Sequence, residues 1–180
     1  MNLLSIFQQR HSIRKYTGAP IDDAALTQII QAGLLSASSR SIRPWEFIVV
    51  KDKDMLRHLS ECRTGAAWML AGADAAIVVI SNAEVSDVWI EDCSIAMANM
   101  HLMADSLGVG SCWIQGRLRT ATTADSGTAS VTTEDYVREC LDFPEGYKLE
   151  AILSLGMPAE EKTPAELSKL PFEKIHYEKF

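Results

Sequence analysis

The chain lacks every single-motif signature from which a function is usually read. Its four cysteines (Cys62, Cys93, Cys112 and Cys140) stand far apart with no CxxC pair, which excludes a disulfide framework and a cysteine-held zinc. Of four histidines, His101 has no second histidine or acid at the spacing of an HExxH-like site, so it reads as a packed or surface residue and no metal is expected. There is no GxxxxGK[ST] and no GxSxG. Gly108 and Gly110 form a GxG without a third glycine, after a helix rather than a strand, so a dedicated dinucleotide fold is excluded. No repeat of 20 to 50 residues occurs. Positive charge is scarce, with 17 Lys and Arg against 24 Asp and Glu, and the net charge of −7 argues against nucleic acid or an anionic membrane as partner. Nothing at the N-terminus reads as a signal peptide. The one membrane-like window, residues 65–83, holds Asp74 near its middle, at a cost of about 3 kcal/mol in a bilayer centre, and reads as core. These absences point to reduced thiols in a cytoplasm.

What is present is an ordinary globular composition, 47% hydrophobic and 23% charged, sufficient for a single domain over residues 1–180. The chain is organised around residues 86–116. From Asp87 to Leu107 no Gly or Pro interrupts, and Trp89, Cys93, Ala96, Met97, Met100, Met103, Ala104 and Leu107 recur at helical spacing. Ser86 reads as the N-cap, and Gly108 stands where a left-handed C-terminal residue is wanted. Because Ile90, Ile95 and Leu102 lie off the main stripe, this helix is expected to be central and buried. The glycine-rich, nearly uncharged residues 108–116 that follow suit close approach to a flat ligand.

In order, the patterns predict helices over residues 2–9, from N-cap Asp22 to Leu34, from Asp52 to about Cys62, and over 134–143, with strands over 45–50, 74–81 and 147–156. The order is α-α-β-α-β-long α-β-α-β: an α+β fold with a single central mixed sheet flanked by helices. Residues 120–133, nearly all Thr, Ala, Ser and Gly, read as a loop or lid. Phe172, Ile175, Tyr177 and Phe180 close the chain and need something to pack on, so the tail is expected to lie across a partner subunit.

Charge is unevenly placed. Residues 1–43 carry five basic side chains against Asp22 and Asp23, a balance of +3 in a chain whose remainder is −10. Arg10 and Arg14, four apart with His11 and Ser12 between, match what a phosphate dianion needs, and Ser38, Ser39, Arg40, Ser41 and Arg43 form a second anion-friendly loop.

Five segments, residues 10–14 (ArgHisSerIleArg), 38–47 (SerSerArgSerIleArgProTrpGluPhe), 107–116 (LeuGlyValGlySerCysTrpIleGlnGly), 152–158 (IleLeuSerLeuGlyMetPro) and 168–177, together resemble the short FMN-dependent nitroreductases, in register from about residue 3 to 180. The resemblance implies a nitroreductase-like α+β sandwich and an intertwined homodimer with FMN at the subunit interface. It implies Arg10, Ser12 and Lys169 on the FMN phosphate with His11 beside them, and Arg14 at the pyrimidine edge of the flavin. Ser38, Ser39 and Ser41 would reach the cofactor from the other subunit, with Arg40 in the same loop. Trp113, Ile114, Gln115 and Gly116 would line the ring, the Gln115 backbone N–H aimed at N5. Where many members carry Asn and Gln before ProTrp, this chain has Ser41 and Arg43.

Side chains cannot carry a hydride, so FMN must, with the protein supplying position and charge and no catalytic acid or base. NAD(P)H would enter the open ring face and leave before a nitroaromatic, quinone or similar planar acceptor takes its place, which is ping-pong. The alternatives are a specialised flavin enzyme of the same fold, such as a reductive dehalogenase-like one, and a non-catalytic flavin-binding dimer.

Overall fold

The second strand fixes the architecture. AlaAlaIleValValIle can alternate and remain apolar on both sides, so a strand made of it must be covered on both faces. In the computed structural model, which describes residues 2–122 and 130–180, this is so: β2 (Ala75–Asn82) is buried almost throughout. Ala75, Ile77 and Val79 face one core with Leu153 and Leu155, whereas Ala76, Val78 and Ile80 face another with Ile152.

Four strands, β1 (Trp45–Val50), β2, β3 (Gly110–Gln115) and β4 (Tyr147–Gly156), form one sheet in the order β1-β2-β4-β3, every neighbouring pair antiparallel. Among the described residues, the parallel component of the expected mixed sheet is the isolated bridge between Ser12 and Ser111. On one face lie α2 (Asp23–Leu34) and α4 (Trp89–Ser106), with Ile29, Met97 and Met100 in the core between them and the sheet. Gly33 lets these helices touch, since a Cβ there would lie 2.8 Å from Met100 Sδ and 2.9 Å from a Phe47 ring carbon. On the other face lie α3 (Lys53–Leu59), a 3-10 turn at Trp68–Gly72 and α5 (Thr133–Leu141), burying Leu56, Leu59, Leu70 and Val137.

The caps follow the expected chemistry at Asn2, Asp22 and Asp52, whose side chains accept from Ser5, Ala24 and Met55 N–H groups. The long helix departs from expectation at its start. Its N-cap position is Val88, and Ser86 Oγ accepts the Val88 N–H one turn outside. Gly108 at its other end is left-handed, φ +73°. Burial of α4 is also one-sided: Ile95 is 42% exposed, Leu3, Leu4 and Phe7 of α1 (Leu3–Gln9) and Leu34 and Leu35 are exposed too, and Leu3, Leu35 and Leu102 line one open groove. Residues 161–180 bury nothing, and the tail meets the body where Ala165 and the Gln8 backbone and amide exchange hydrogen bonds. Among the described residues no helix is long and apolar enough to cross a membrane.

Candidate functional site

Residues 10–17 are extended, not helical, and are stitched down on two sides. Ile13 N–H donates to Ser111 O at 2.9 Å, beside the Ser12–Ser111 bridge at the start of β3. Glu160 Oε1 accepts the Arg14 N–H at 2.7 Å and the Lys15 N–H at 3.3 Å. Those backbone bonds, with Lys162 beside it, hold the Glu160 carboxyl down at about 2. Tyr16 reaches under the segment to Ile13 O at 2.9 Å and Ser154 Oγ at 2.7 Å, and Gly156 makes room for its ring, since a Cβ there would sit 2.6 Å from two ring carbons.

Arg10 is held from behind. Its Nη1 donates to His101 Nε2 at 2.9 Å, so the neutral imidazole carries its proton on Nδ1 and gives it to Ser111 Oγ. Burial of His101, with the Arg10 charge second, pushes its pKa down to about 4, and it stays neutral at pH 7. His101 is one of the packed histidines the sequence allows, but its hold on Arg10 was not legible there. Asp105, one helical turn on, lies near Arg10 and His11 with its pKa raised by burial against their pull. Among the described residues neither Arg10 nor Arg14 forms an ion pair, so no carboxylate neutralises either charge.

From Ser111 to Gln115 the edge strand runs four residues, about 13 Å. Gly116 N–H donates to Glu150 O at 3.1 Å, so by antiparallel alternation Gly116, Ile114 and Cys112 turn their backbone groups toward β4, and Gln115, Trp113 and Ser111 turn theirs to the open edge. This corrects one expectation: Ile114 cannot line a ligand, because its side chain is 1% exposed in the core under α3 and its backbone faces β4. Trp113 is half-buried, its indole Nε1–H donating to Gln115 Oε1 at 3.0 Å. A Cβ on Gly116 would lie 2.5 Å from Leu149 Cδ2, so any larger residue here must displace that buried side chain.

Beneath the turn lies a second feature that sequence reasoning missed. Glu150 is 3% exposed in β4, with Oε1 accepting from Ser94 Oγ at 3.3 Å and Oε2 3.5 Å from Arg117 Nε. Burial raises its pKa against the pull of Arg117, Ser94 and Gln115. A cavity of about 530 Å³ opens beside Gly116, walled by Trp89, Arg117, Leu118 and Lys148. Thr120 and Thr132, which bridge each other, also line it. The rest of the expected loop, residues 123–129, lies outside the described residues.

The second anion-friendly loop sits elsewhere. Arg40, Ser41 and Arg43 have left-handed φ of 52°, 54° and 52°, held because Ser38 Oγ accepts the Arg43 N–H at 2.9 Å and the buried Asp92 accepts the Ser39 N–H at 2.8 Å. Arg40 is engaged with Asp87. Asp92 and His101 are nine residues apart, about 14 Å of helix, so one chain places its two basic loops toward opposite ends of α4. Lys169 does not join Arg10 and Ser12 here. It is exposed and pairs with Glu166 at 2.7 Å.

This α+β architecture, a long helix packed on an antiparallel sheet, is that of solved nitroreductase structures. An FMN-dependent nitroreductase from Clostridium difficile R20291 matches it with a TM-score of 0.91 at 43% identity, over 98% of this chain and 99% of that one. A Parabacteroides distasonis protein provisionally named NADH dehydrogenase/NAD(P)H nitroreductase matches at 0.86 and 31% over 100% of both chains. The chain belongs to the nitroreductase family, whose model matches residues 7–63 and 56–157. A relative from Archaeoglobus fulgidus, also provisionally named NADH dehydrogenase/NAD(P)H nitroreductase, is 35% identical over 98% of each chain.

Proposed function

We propose that this protein is an FMN-dependent oxidoreductase that passes electrons from NAD(P)H to nitroaromatic, quinone or similar planar acceptors, acting as a cytoplasmic homodimer with FMN between its subunits. The observation that carries this reading is the edge strand β3. At one end stands Arg10, paired with no carboxylate among the described residues and braced on His101, near Ser12; four residues along the strand from Ser111, about 13 Å, the Gln115 N–H faces the open edge. A phosphate, a ribityl chain and a tricyclic ring laid along that edge would meet a charged fork, a hydroxyl and then a hydrogen-bond donor in turn. When bound, FMN supplies the hydride and two-electron chemistry that no side chain offers.

The residues of the chain hold and tune. Arg10 and Ser12 would bind the phosphate with His11 alongside, Arg14 would place a cation at the pyrimidine edge, and Trp113, Gln115 and Gly116 would seat the ring. Ser38, Ser39, Ser41 and Arg40 sit toward the opposite end of α4 from Arg10, an arrangement that suits a site completed by the loop of a second subunit. The open apolar face of α1, α2 and α4, and a tail whose Phe172, Ile175 and Tyr177 are all more than half exposed, give that subunit something to cover. In the dimer Lys169 would leave Glu166 and reach the phosphate. The relatives' names support the same activity. Besides the proteins above, the NADPH-flavin oxidoreductase of Vibrio harveyi is 26% identical over 98% of this chain and 73% of its own length.

The test is anaerobic spectroscopy on FMN-loaded protein. NADH or NADPH should bleach the flavin absorbance, a quinone or nitroaromatic should restore it, and initial rates should give parallel double-reciprocal lines. Bound flavin indifferent to both nicotinamides would overturn the oxidoreductase reading in favour of a flavin-binding dimer.

A further inference from the structure

We propose that His101 is a positioning residue which, through its neutral Nε2, sets the Arg10 guanidinium for a phosphate monoester and so makes the site select FMN over riboflavin. The inference rests on the reading of Arg10 as a phosphate ligand.

Three observations meet at one place. The imidazole is 7% exposed, yet both ring nitrogens are engaged, Nε2 by Arg10 and Nδ1 by Ser111 Oγ. Ser111 also accepts the Ile13 N–H through its carbonyl and bridges Ser12, so one residue fixes both the imidazole and the backbone that carries Ser12, the second phosphate ligand of that reading. His101 lies on α4, whose length is packed against the sheet core, so the chain α4–His101–Arg10 ties an otherwise flexible side chain to the most rigid part of the molecule.

The choice of partner matters chemically. An arginine can be braced by a carboxylate, but that pairing cancels its charge and occupies the fork a phosphate needs. A neutral imidazole accepts a single N–H and leaves the full positive charge and the remaining donors for the ligand. Asp105, one turn further, is near enough to feel Arg10 but forms no ion pair with it within the described residues. A buried acceptor that does not neutralise its donor is the arrangement that favours a dianion over a neutral ribityl hydroxyl.

The experiment measures dissociation constants for FMN and for riboflavin, by flavin fluorescence quenching, on the apo-dimer of the wild type, His101→Leu, His101→Gln and Ser111→Ala. Loss of a charge-assisted acceptor should weaken FMN binding by about tenfold or more in His101→Leu while riboflavin binding changes little, collapsing the FMN-to-riboflavin ratio. His101→Gln, which keeps an acceptor near the Nε2 position, should restore most of the ratio, and Ser111→Ala should fall between. Equal losses for both flavins, or an unchanged ratio in His101→Leu and Ser111→Ala, overturns the positioning role while leaving the FMN reading intact. A wild type that binds the two flavins equally overturns the phosphate reading itself. If His101→Leu does not fold, the ratio in Ser111→Ala and His101→Gln decides.

Discussion

Acid should unfold this protein partly through His101, and the size of the effect follows from its surroundings. The ring is buried and neutral, with its pKa lowered from 6.5 to about 4, first by burial and then by Arg10. Asp105 and His11 are the other titratable groups around that guanidinium. A group whose folded pKa is depressed binds fewer protons folded than unfolded, so the stability it confers is present above 6.5 and is lost as pH falls toward 4. The fall from 6.5 to 4 corresponds to about 3 kcal/mol at 1.36 kcal/mol per pKa step. Glu150 works the other way. Its raised pKa means that acid relieves a buried charge, so the wild-type curve alone is not diagnostic. The comparison that isolates His101 is wild type against His101→Gln, apo, unfolded in urea at pH 7.5, 6.5, 5.5 and 4.5. The stability gap between them should shift against the wild type by about 1–3 kcal/mol across that range. A gap that stays constant with pH refutes the assignment of a neutral, Nδ1-protonated imidazole bonded to Arg10.

Gly116→Ala should cost about 1–3 kcal/mol and weaken FMN binding, because its Cβ would press on the fully buried Leu149; thermal unfolding and flavin titration check both. Arg117→Ala leaves the Glu150 carboxylate buried without its cation and should destabilise by about 1–3 kcal/mol at pH 8, with the loss shrinking at pH 5 as the carboxyl protonates; Glu150→Gln should remove that pH dependence. Deleting residues 166–180 should leave the sheet and helices folded by circular dichroism, since that segment buries nothing, but should convert the proposed dimer to monomer in sedimentation and lower FMN affinity.

The order of helices and strands was legible because each carried its own period. β2 is apolar on both faces, β4 spans the expected residues 147–156, and Asp22 and Asp52 announce their helices. Arg10 and Ser12 were legible as a cluster because they lie close in sequence. His101, Asp92 and Glu150 were not: each is a polar residue in an apolar stripe, and its partner lies 53 to 91 residues away, so only the folded chain brings His101 to Arg10, Asp92 to Ser39 and Ser94 to Glu150. Ile114 was misplaced because a strand sends alternate residues to opposite faces, and the parity was set by its pairing with β4. The start of α4 slipped by two residues because Ser86 caps a preceding turn instead of the helix itself.

The separation of the Arg10 and Ser39 loops along α4 has a genetic consequence. If each pocket draws one loop from either subunit, a polypeptide lesioned at Arg10 and another lesioned at Ser39, mixed after denaturation, assort both defects into one pocket of the heterodimer and spare the other. Two inactive preparations would together regain up to half a wild-type dimer's capacity per hybrid, whereas two lesions within the same loop would never complement.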